Sequence, residues 1–128
     1  MAKYLSEEWF EQAQAMGADL PERPGASVRA DWVVTGSPQG ELHYHTVAQD
    51  GRVVELRLGS LPDTEVTLTA SWADSVRIAS GELDINAALM QGKVKATGNM
   101  AKLMALLPLT ATPEYEQWRE RIRAVTEF

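Results

Sequence analysis

The residues best suited to metal chemistry are two histidines one position apart, His43 and His45. Alternation along a β-strand puts residues i and i+2 on the same face, so both imidazoles would project together as a pair of metal ligands. A zinc or iron site needs at least one further ligand, and the sequence identifies none. Because the pair alternates with Leu42 and Tyr44, we expect both histidines on the solvent face of a strand, with no metal bound.

Catalytic machinery is not indicated elsewhere in the chain. Asp50 and Asp63 fit turns, and Asp74 and Asp84 fit the first turns of helices, so local structural roles explain these carboxylates. The absence of cysteine excludes disulfides, thiolate metal sites and a cysteine nucleophile. No nucleophile elbow, phosphate-binding loop, dinucleotide fingerprint or metalloprotease motif occurs. The sequence therefore favours a protein that is not an enzyme and that uses no cofactor.

Length and charge limit the remaining classes of function. The 128 residues fit one domain, which we place at residues 1–128. A net charge of −6 argues against a nucleic acid partner, since phosphate contacts require clustered Lys and Arg. Residues 1–8 contain no long apolar region, and no apolar run approaches the roughly 20 residues that span a bilayer. We therefore expect a soluble, cytoplasmic protein without a signal peptide.

Hydrophobic periodicity predicts the elements that must position any site in the first half of the chain. Ser6 caps a helix that ends near Gly17 or Leu20, and Pro21–Gly25 breaks the chain. Strands with alternating apolar residues follow at 28–34, 42–46, 52–58 and 65–70, and in the third of them Val54, Leu56 and Leu58 share one face. Because the turns are short, these four strands predict an antiparallel meander with one solvated face.

The second half of the chain is mainly helical. Caps at Ser71, Asp84, Asn99 and Thr112 predict four helices, with a fifth strand at 94–97 before the third of them. The last helix carries an apolar stripe, which has three interpretations. The stripe docks on the body of the protein, or the helix is a mobile lid over the pocket, or the stripe makes a dimer contact. The element order predicts an α+β fold, with a five-stranded, mostly antiparallel sheet covered on one face by helices.

The segment Gly92–Met100 is a short basic strand held between two glycines, and it leads into a helix rich in methionine and leucine. Lys93 and Lys95 alternate with apolar residues along this strand. This alternation fits two lysines that cover an exposed strand edge or face.

The chain from about Val28 to Leu107 resembles the sterol carrier protein 2 family, and the specific residues of the resemblance lie between Gly81 and Leu107. Members of that family show a glycine that ends a short helix, then an apolar pair followed by Gln-Gly-Lys, a basic strand, Gly-Asn or Gly-Asp and a methionine-bearing helix. The corresponding segments here are Gly81, Leu89-Met90-Gln91-Gly92-Lys93, Val94–Thr97, Gly98-Asn99 and Met100–Leu107. Leu89-Met90 departs from the aromatic pair that is frequent in the family, which changes the shape of the implied pocket.

The resemblance implies an apolar tunnel between the sheet and the helices. A second role for Lys93 and Lys95 would then be to meet the carboxylate or head group of a lipid at the mouth of this tunnel. In it the protein would bind, and transfer within the cell, sterols or steroids, fatty acids or fatty acyl-CoA. Methionine suits such an adaptable surface, although a Met/Leu stripe at helical spacing is more often part of an ordinary core. The candidate ligand-binding residues are Trp32, Leu56, Val66, Leu68, Trp72, Val76, Leu83, Leu89, Met90, Gln91, Met100, Leu103, Met104 and Leu107.

Two other classes of function compete with a carrier. The first is an accessory module that presents an apolar substrate to a partner enzyme, since domains that resemble this one are found fused to enzymes. The second is a small enzyme built on the same pocket, which would need convergent polar groups inside the cavity, and the sequence indicates none. The expected partners are a lipid or another apolar small molecule, with transient contact to a membrane or an enzyme. We expect a monomer or a weak dimer.

Overall fold

The computed structural model of the protein describes residues 2–17, 20–24, 27–110 and 112–128. Its elements in chain order are β1 (Ala2–Lys3), α1 (Glu7–Gly17), β2 (Val28–Ser37), β3 (Gly40–Gln49), β4 (Arg52–Leu58), β5 (Val66–Ser71), α2 (Trp72–Ala79), α3 (Ile85–Met90), β6 (Val94–Gly98), α4 (Met100–Thr110), α5 (Pro113–Ala124) and β7 (Thr126–Glu127). Gly25, the last residue of the predicted break, lies outside the described residues.

Strands β2 to β6 form a five-stranded sheet in the order β4-β3-β2-β5-β6. The pairs β2–β3, β3–β4 and β5–β6 are antiparallel, whereas β2 and β5 are parallel. The predicted α+β class and the mostly antiparallel five-stranded sheet are confirmed. The predicted meander is wrong, because the chain leaves β4, passes β3 and β2, and adds β5 beside β2.

This crossover runs through residues 59–65, on the sheet face opposite the core. The carboxylate of Asp31 accepts hydrogen bonds from the backbone N–H of Leu61 at 3.1 Å and from the hydroxyl of Thr64 at 3.2 Å. Asp31 lies between strand residues that face the core, so its own side chain points to the outer face. It therefore fixes the crossover and leaves the inner face to the helices.

The crossover also determines the environment of the two histidines. His45 is 6% exposed; its Nδ1 lies 2.7 Å from the Gly59 carbonyl oxygen and its Nε2 lies 2.7 Å from a Glu55 carboxylate oxygen. His43 is exposed. The prediction of an exposed pair is wrong for His45, because a segment distant in sequence covers it. Among the described residues, no group of three or more His, Cys, Asp or Glu side chains is arranged to hold a metal ion.

A β-bulge between β3 and β4 interrupts the alternation predicted for the third strand. The register shifts between Val47 and Ala48, so that Val54 becomes the extra residue on β4. Val53 and Leu56 are buried at 5% exposure, whereas Val54 is 45% exposed. The expectation that Val54 shares the face of Leu56 is therefore wrong.

The helix starts follow from local capping. The side chains of the predicted caps accept a hydrogen bond from the backbone N–H three residues later, and these caps are Ser6, Ser71, Asp84, Asn99 and Thr112. None of the helices in the described part of the chain is long and apolar enough to cross a lipid bilayer.

The two ends of the chain meet in a small second sheet. Ala2–Lys3 pairs in parallel with Thr126–Glu127, and the indole N–H of Trp9 donates to the Thr126 hydroxyl at 2.9 Å. Helix α5 lies against α1, where the indole N–H of Trp118 donates to the Ala13 carbonyl oxygen at 3.1 Å. Strands of two residues have no periodicity and were not predicted. Of the three interpretations of the last helix, the structure contains the docked one.

Candidate functional site

A cavity of about 200 Å³ lies between the inner face of the sheet and the helices, where two clusters of buried apolar side chains meet. The strands contribute Val28, Ala30, Trp32, Tyr44, Thr46, Leu56 and Leu68 to its wall. The helices and the N-terminal segment contribute Tyr4, Trp9, Ser75, Ile78, Ala79, Ile85, Leu89, Leu103, Leu107, Thr110, Tyr115, Trp118, Arg119 and Ile122. The wall is therefore mainly aliphatic and aromatic.

Part of the predicted site lies in this wall. The candidates that line the cavity are Trp32, Leu56, Leu68, Leu89, Leu103 and Leu107. Val66 and Leu83 are buried in the adjoining core cluster, and Trp72 and Val76 are half-buried and do not line the cavity. Whether any candidate contacts a ligand stays a prediction.

The remaining candidates lie on the surface rather than in the wall. Met90 is 88% exposed, Met104 is 64% exposed and Met100 is 42% exposed, and Gln91 is also exposed. One residue along a helix is a rotation of about 100°, which separates Met104 from its neighbour Leu103 in the wall. Helix α4 is apolar on nearly all sides, so periodicity could not tell its inner face from its outer face.

Lys93 and Lys95 do not line the cavity. Lys95 is exposed on β6, which forms one edge of the five-stranded sheet, and Lys93 directly precedes this strand. The predicted position on an exposed strand edge is confirmed for Lys95, and a contact of either lysine with a lipid head group stays a prediction.

The polar groups of the wall concentrate at one side of the cavity. The hydroxyl of Tyr4 lies 2.6 Å from the hydroxyl of Ser75. Among the described wall residues, Arg119 carries the one charged side chain, which is 15% exposed. Its Nη2 donates to the Ile78 carbonyl oxygen at 2.5 Å, and its Nη1 lies 3.8 Å from a Glu116 carboxylate oxygen.

The tyrosines of the wall hold their protons strongly. Burial raises the pKa of Tyr4 to about 12, although the hydrogen bond with the Ser75 side chain and the charge of Arg119 lower it somewhat. Burial also raises the pKa of Tyr115, and Arg119 again opposes the effect. The pKa of Tyr44 lies well above its ordinary value, chiefly through burial and then through the neighbouring Tyr4 and Tyr115. All three phenols are therefore neutral hydrogen-bond donors near pH 7.

Sequence reasoning missed the part of the wall that lies near the two ends of the chain. Tyr4 and Trp9 precede the segment that carried the family resemblance, and Tyr115, Arg119 and Ile122 follow it. The available signal was the spacing on α5, since Tyr115 and Arg119 are four residues apart and face the same way.

The model of the SCP-2 sterol transfer family matches residues 25–110 of this chain. A search of curated proteins found no match.

Three solved structures illustrate the similarity in fold. The crystal structure of sterol carrier protein 2 has a TM-score of 0.73 at 14% identity, over 94% of this chain and 98% of that chain. The solution structure of palmitated SCP2L2 from Aedes aegypti has a TM-score of 0.59 at 22% identity, over 79% and 91%. The stereoselective inverting sec-alkylsulfatase Pisa1 from Pseudomonas sp. has a TM-score of 0.52 at 21% identity, over 80% of this chain but 16% of that chain.

Proposed function

The chain belongs to the SCP-2 sterol transfer family, and on that premise we propose that it binds an apolar or amphipathic small molecule in its cavity and transfers it chemically unchanged. The observation that carries the proposal is the apolar cavity of about 200 Å³ between the sheet and the helices. Moving an alkyl chain from water into such a cavity is favourable by about 0.8 kcal/mol per methylene group.

The size of the cavity sets the size of the ligand. An engineered apolar cavity of about 150 Å³ binds benzene, so a cavity of about 200 Å³ holds about eight non-hydrogen atoms. This volume is below the roughly 300 Å³ at which ordinary ligand pockets begin. We therefore favour a medium-length acyl chain; a sterol, a long fatty acid or the acyl chain of an acyl-CoA requires the walls to move. The palmitated relative supports the choice of an acyl ligand.

Titration with straight-chain alkanoates from hexanoate to palmitate tests this proposal. Trp9, Trp32 and Trp118 line the cavity, so ligand entry should change tryptophan fluorescence. We expect affinity to rise roughly fourfold per methylene group and then to level off near about eight carbons. The proposal fails if alkanoates and sterols of every size leave both the fluorescence and the heat of mixing unchanged.

Leu89 and Met90 provide a matched pair for the same titration. Leu89 lines the cavity, whereas Met90 is 88% exposed. Leu89→Ala should weaken octanoate binding by roughly 3- to 10-fold because the chain loses apolar contact, and Met90→Ala should leave it unchanged. Equal effects of the two substitutions would place the ligand outside this cavity.

An accessory module is the second candidate function. The similarity to a small part of a sec-alkylsulfatase favours it, because there a domain of this fold belongs to a larger enzyme chain. Native mass spectrometry of the freshly purified protein, followed by organic extraction, separates the two candidates. A stoichiometric lipid supports the carrier, and an empty protein that accelerates a defined enzyme acting on an apolar substrate supports the module.

Three further properties belong to the proposal. They are a cytoplasmic location, a monomeric or weakly dimeric state, and transient contact with a membrane or an enzyme. Light scattering across a range of protein concentrations tests the oligomeric state, and co-sedimentation with neutral lipid vesicles tests membrane contact.

A further inference from the structure

We propose that the cavity selects amphiphiles with a carboxylate head group, and that Arg119 holds this group together with the hydroxyls of Tyr44 and Tyr115. The inference rests on the proposed function, since it specifies the class of molecule that enters the cavity. Tyr115 and Arg119 lie outside the family-matched residues 25–110, so the head-group site belongs to this chain's own C-terminal helix.

The first step is the position of Arg119. Arg119 lines a mainly apolar cavity, and among the described wall residues it has no carboxylate to pair with. Its contact with Glu116, outside the wall, is long at 3.8 Å. A guanidinium has five N–H donors in a planar fork that suits a carboxylate. One guanidinium nitrogen donates to the Ile78 carbonyl oxygen, and the remaining N–H groups can bind an anion that enters the cavity.

The second step is the state of the phenols. Tyr44 is 8% exposed, and no hydrogen bond to its hydroxyl or to that of Tyr115 occurs within the described residues. Both hydroxyls therefore have donor capacity for a group that enters the cavity. Tyr115 and Arg119 are four residues apart on α5 and so lie on the same face of that helix, and Tyr44 lines the same cavity. These three residues are therefore the candidates to meet one head group.

The third step is the chemistry that these groups share. A guanidinium only donates hydrogen bonds, and a neutral phenol donates readily. Their complement is a group that only accepts, and an ionised carboxylate offers about four acceptor positions on two oxygens. The alkyl chain then extends toward Leu89, Leu103 and Leu107, which line the part of the wall formed by α3 and α4.

The experiment compares octanoate with 1-octanol on the wild-type protein and on Arg119→Gln. Octanol fills the same apolar space but carries no charge, so it reports the integrity of the cavity. We expect Arg119→Gln to weaken octanoate binding by about 10- to 100-fold, the range for hydrogen bonds to a charged group. Octanol binding should stay within about twofold, because its interaction is with the apolar wall.

Arg121→Gln is the control. Arg121 is exposed on the same helix, and its substitution removes an equal charge. It should leave octanoate binding unchanged.

The double variant Tyr44→Phe, Tyr115→Phe should reduce the preference for octanoate over octanol while Arg119 remains in place. If wild type binds neither compound, the proposed function itself fails. If octanoate binds equally to wild type and to Arg119→Gln, Arg119 only caps the end of α2 and the head-group inference is overturned.

Discussion

Gly92 and Gly98 flank β6 with positive φ angles of 75° and 111°, yet their surroundings differ. A Cβ on Gly92 meets nothing within 4 Å, whereas a Cβ on Gly98 would overlap the Glu65 carbonyl oxygen. Gly92→Ala should cost about 1–2 kcal/mol of unfolding free energy from backbone strain alone. Gly98→Ala should cost about 3 kcal/mol or more, because the backbone of the neighbouring strand end cannot move aside without breaking its pairing.

Urea denaturation of the two variants, fitted with a common m-value, measures this difference. Gly36→Ala is the control, since Gly36 also has a positive φ of 72° and open space around it. It should match Gly92→Ala. Equal costs for all three substitutions would mean that Gly98 is retained for its φ angle and not for the close approach of Glu65.

Individual residues were predictable where their role is local. A cap needs one side chain and a backbone N–H three residues later, so Ser71, Asp84 and Asn99 could be identified from sequence. His45 could not, because a crossover segment with no pattern of its own covers it. Arg119 was missed for a related reason, since its place in the cavity wall depends on how the last helix docks.

At the scale of elements, the bulge on β4 makes a testable difference between two adjacent valines. Val53 is 5% exposed and packs against Gly17 of α1, whereas Val54 is 45% exposed. Val53→Ala should lower the free energy of unfolding by about 2 kcal/mol, because buried methyl groups are lost and a void remains. Val54→Ala should change it by about 0.5 kcal/mol or less.

Thermal or chemical denaturation of this pair decides whether the bulged register holds in solution. The unbroken alternation read from sequence predicts the reverse order, with Val54 as the costly position. That reverse result would contradict the register of β3 and β4 and, with it, the packing of α1 on this edge of the sheet.

The strands themselves were predictable because alternation is a property of each segment. Their order was not, because alternation does not state which strand a segment pairs with. Adjacent strands joined by short turns favour a meander, yet Val66–Ser71 pairs in parallel with β2 through contacts such as Trp32 with Leu68. The Asp31 carboxylate accepts the hydrogen bonds that fix this arrangement. The donors, in Leu61 and Thr64, lie about 30 positions away in sequence.

At the scale of the whole molecule, the cavity depends on both ends of the chain. The family match covers residues 25–110, but Tyr4, Trp9 and Trp118 also line the wall. Pairing of β1 with β7 brings these residues together, and Trp9 is tied to Thr126. The sequence therefore predicted an apolar interior between sheet and helices, whereas the closure of one side needed the complete fold.

The same closure makes the protein sensitive to alkali, because its three tyrosines all lie in the cavity wall. Burial raises the pKa of Tyr4 to about 12 and also raises those of Tyr44 and Tyr115, whereas an unfolded tyrosine titrates near about 10. The folded state thus retains protons that the unfolded state loses. This contribution to stability is complete below about pH 10 and is lost as the pH rises through about 12.

We expect tyrosinate absorbance to appear together with the loss of helical circular dichroism, well above pH 10. The protein unfolded in guanidinium should titrate near about pH 10, and Tyr4→Phe should make the decline in stability with pH less steep. Tyrosinate absorbance that rises fully near pH 10 with the circular dichroism intact would mean that water reaches these phenols, and that the cavity is open at the side closed by β1 and α5.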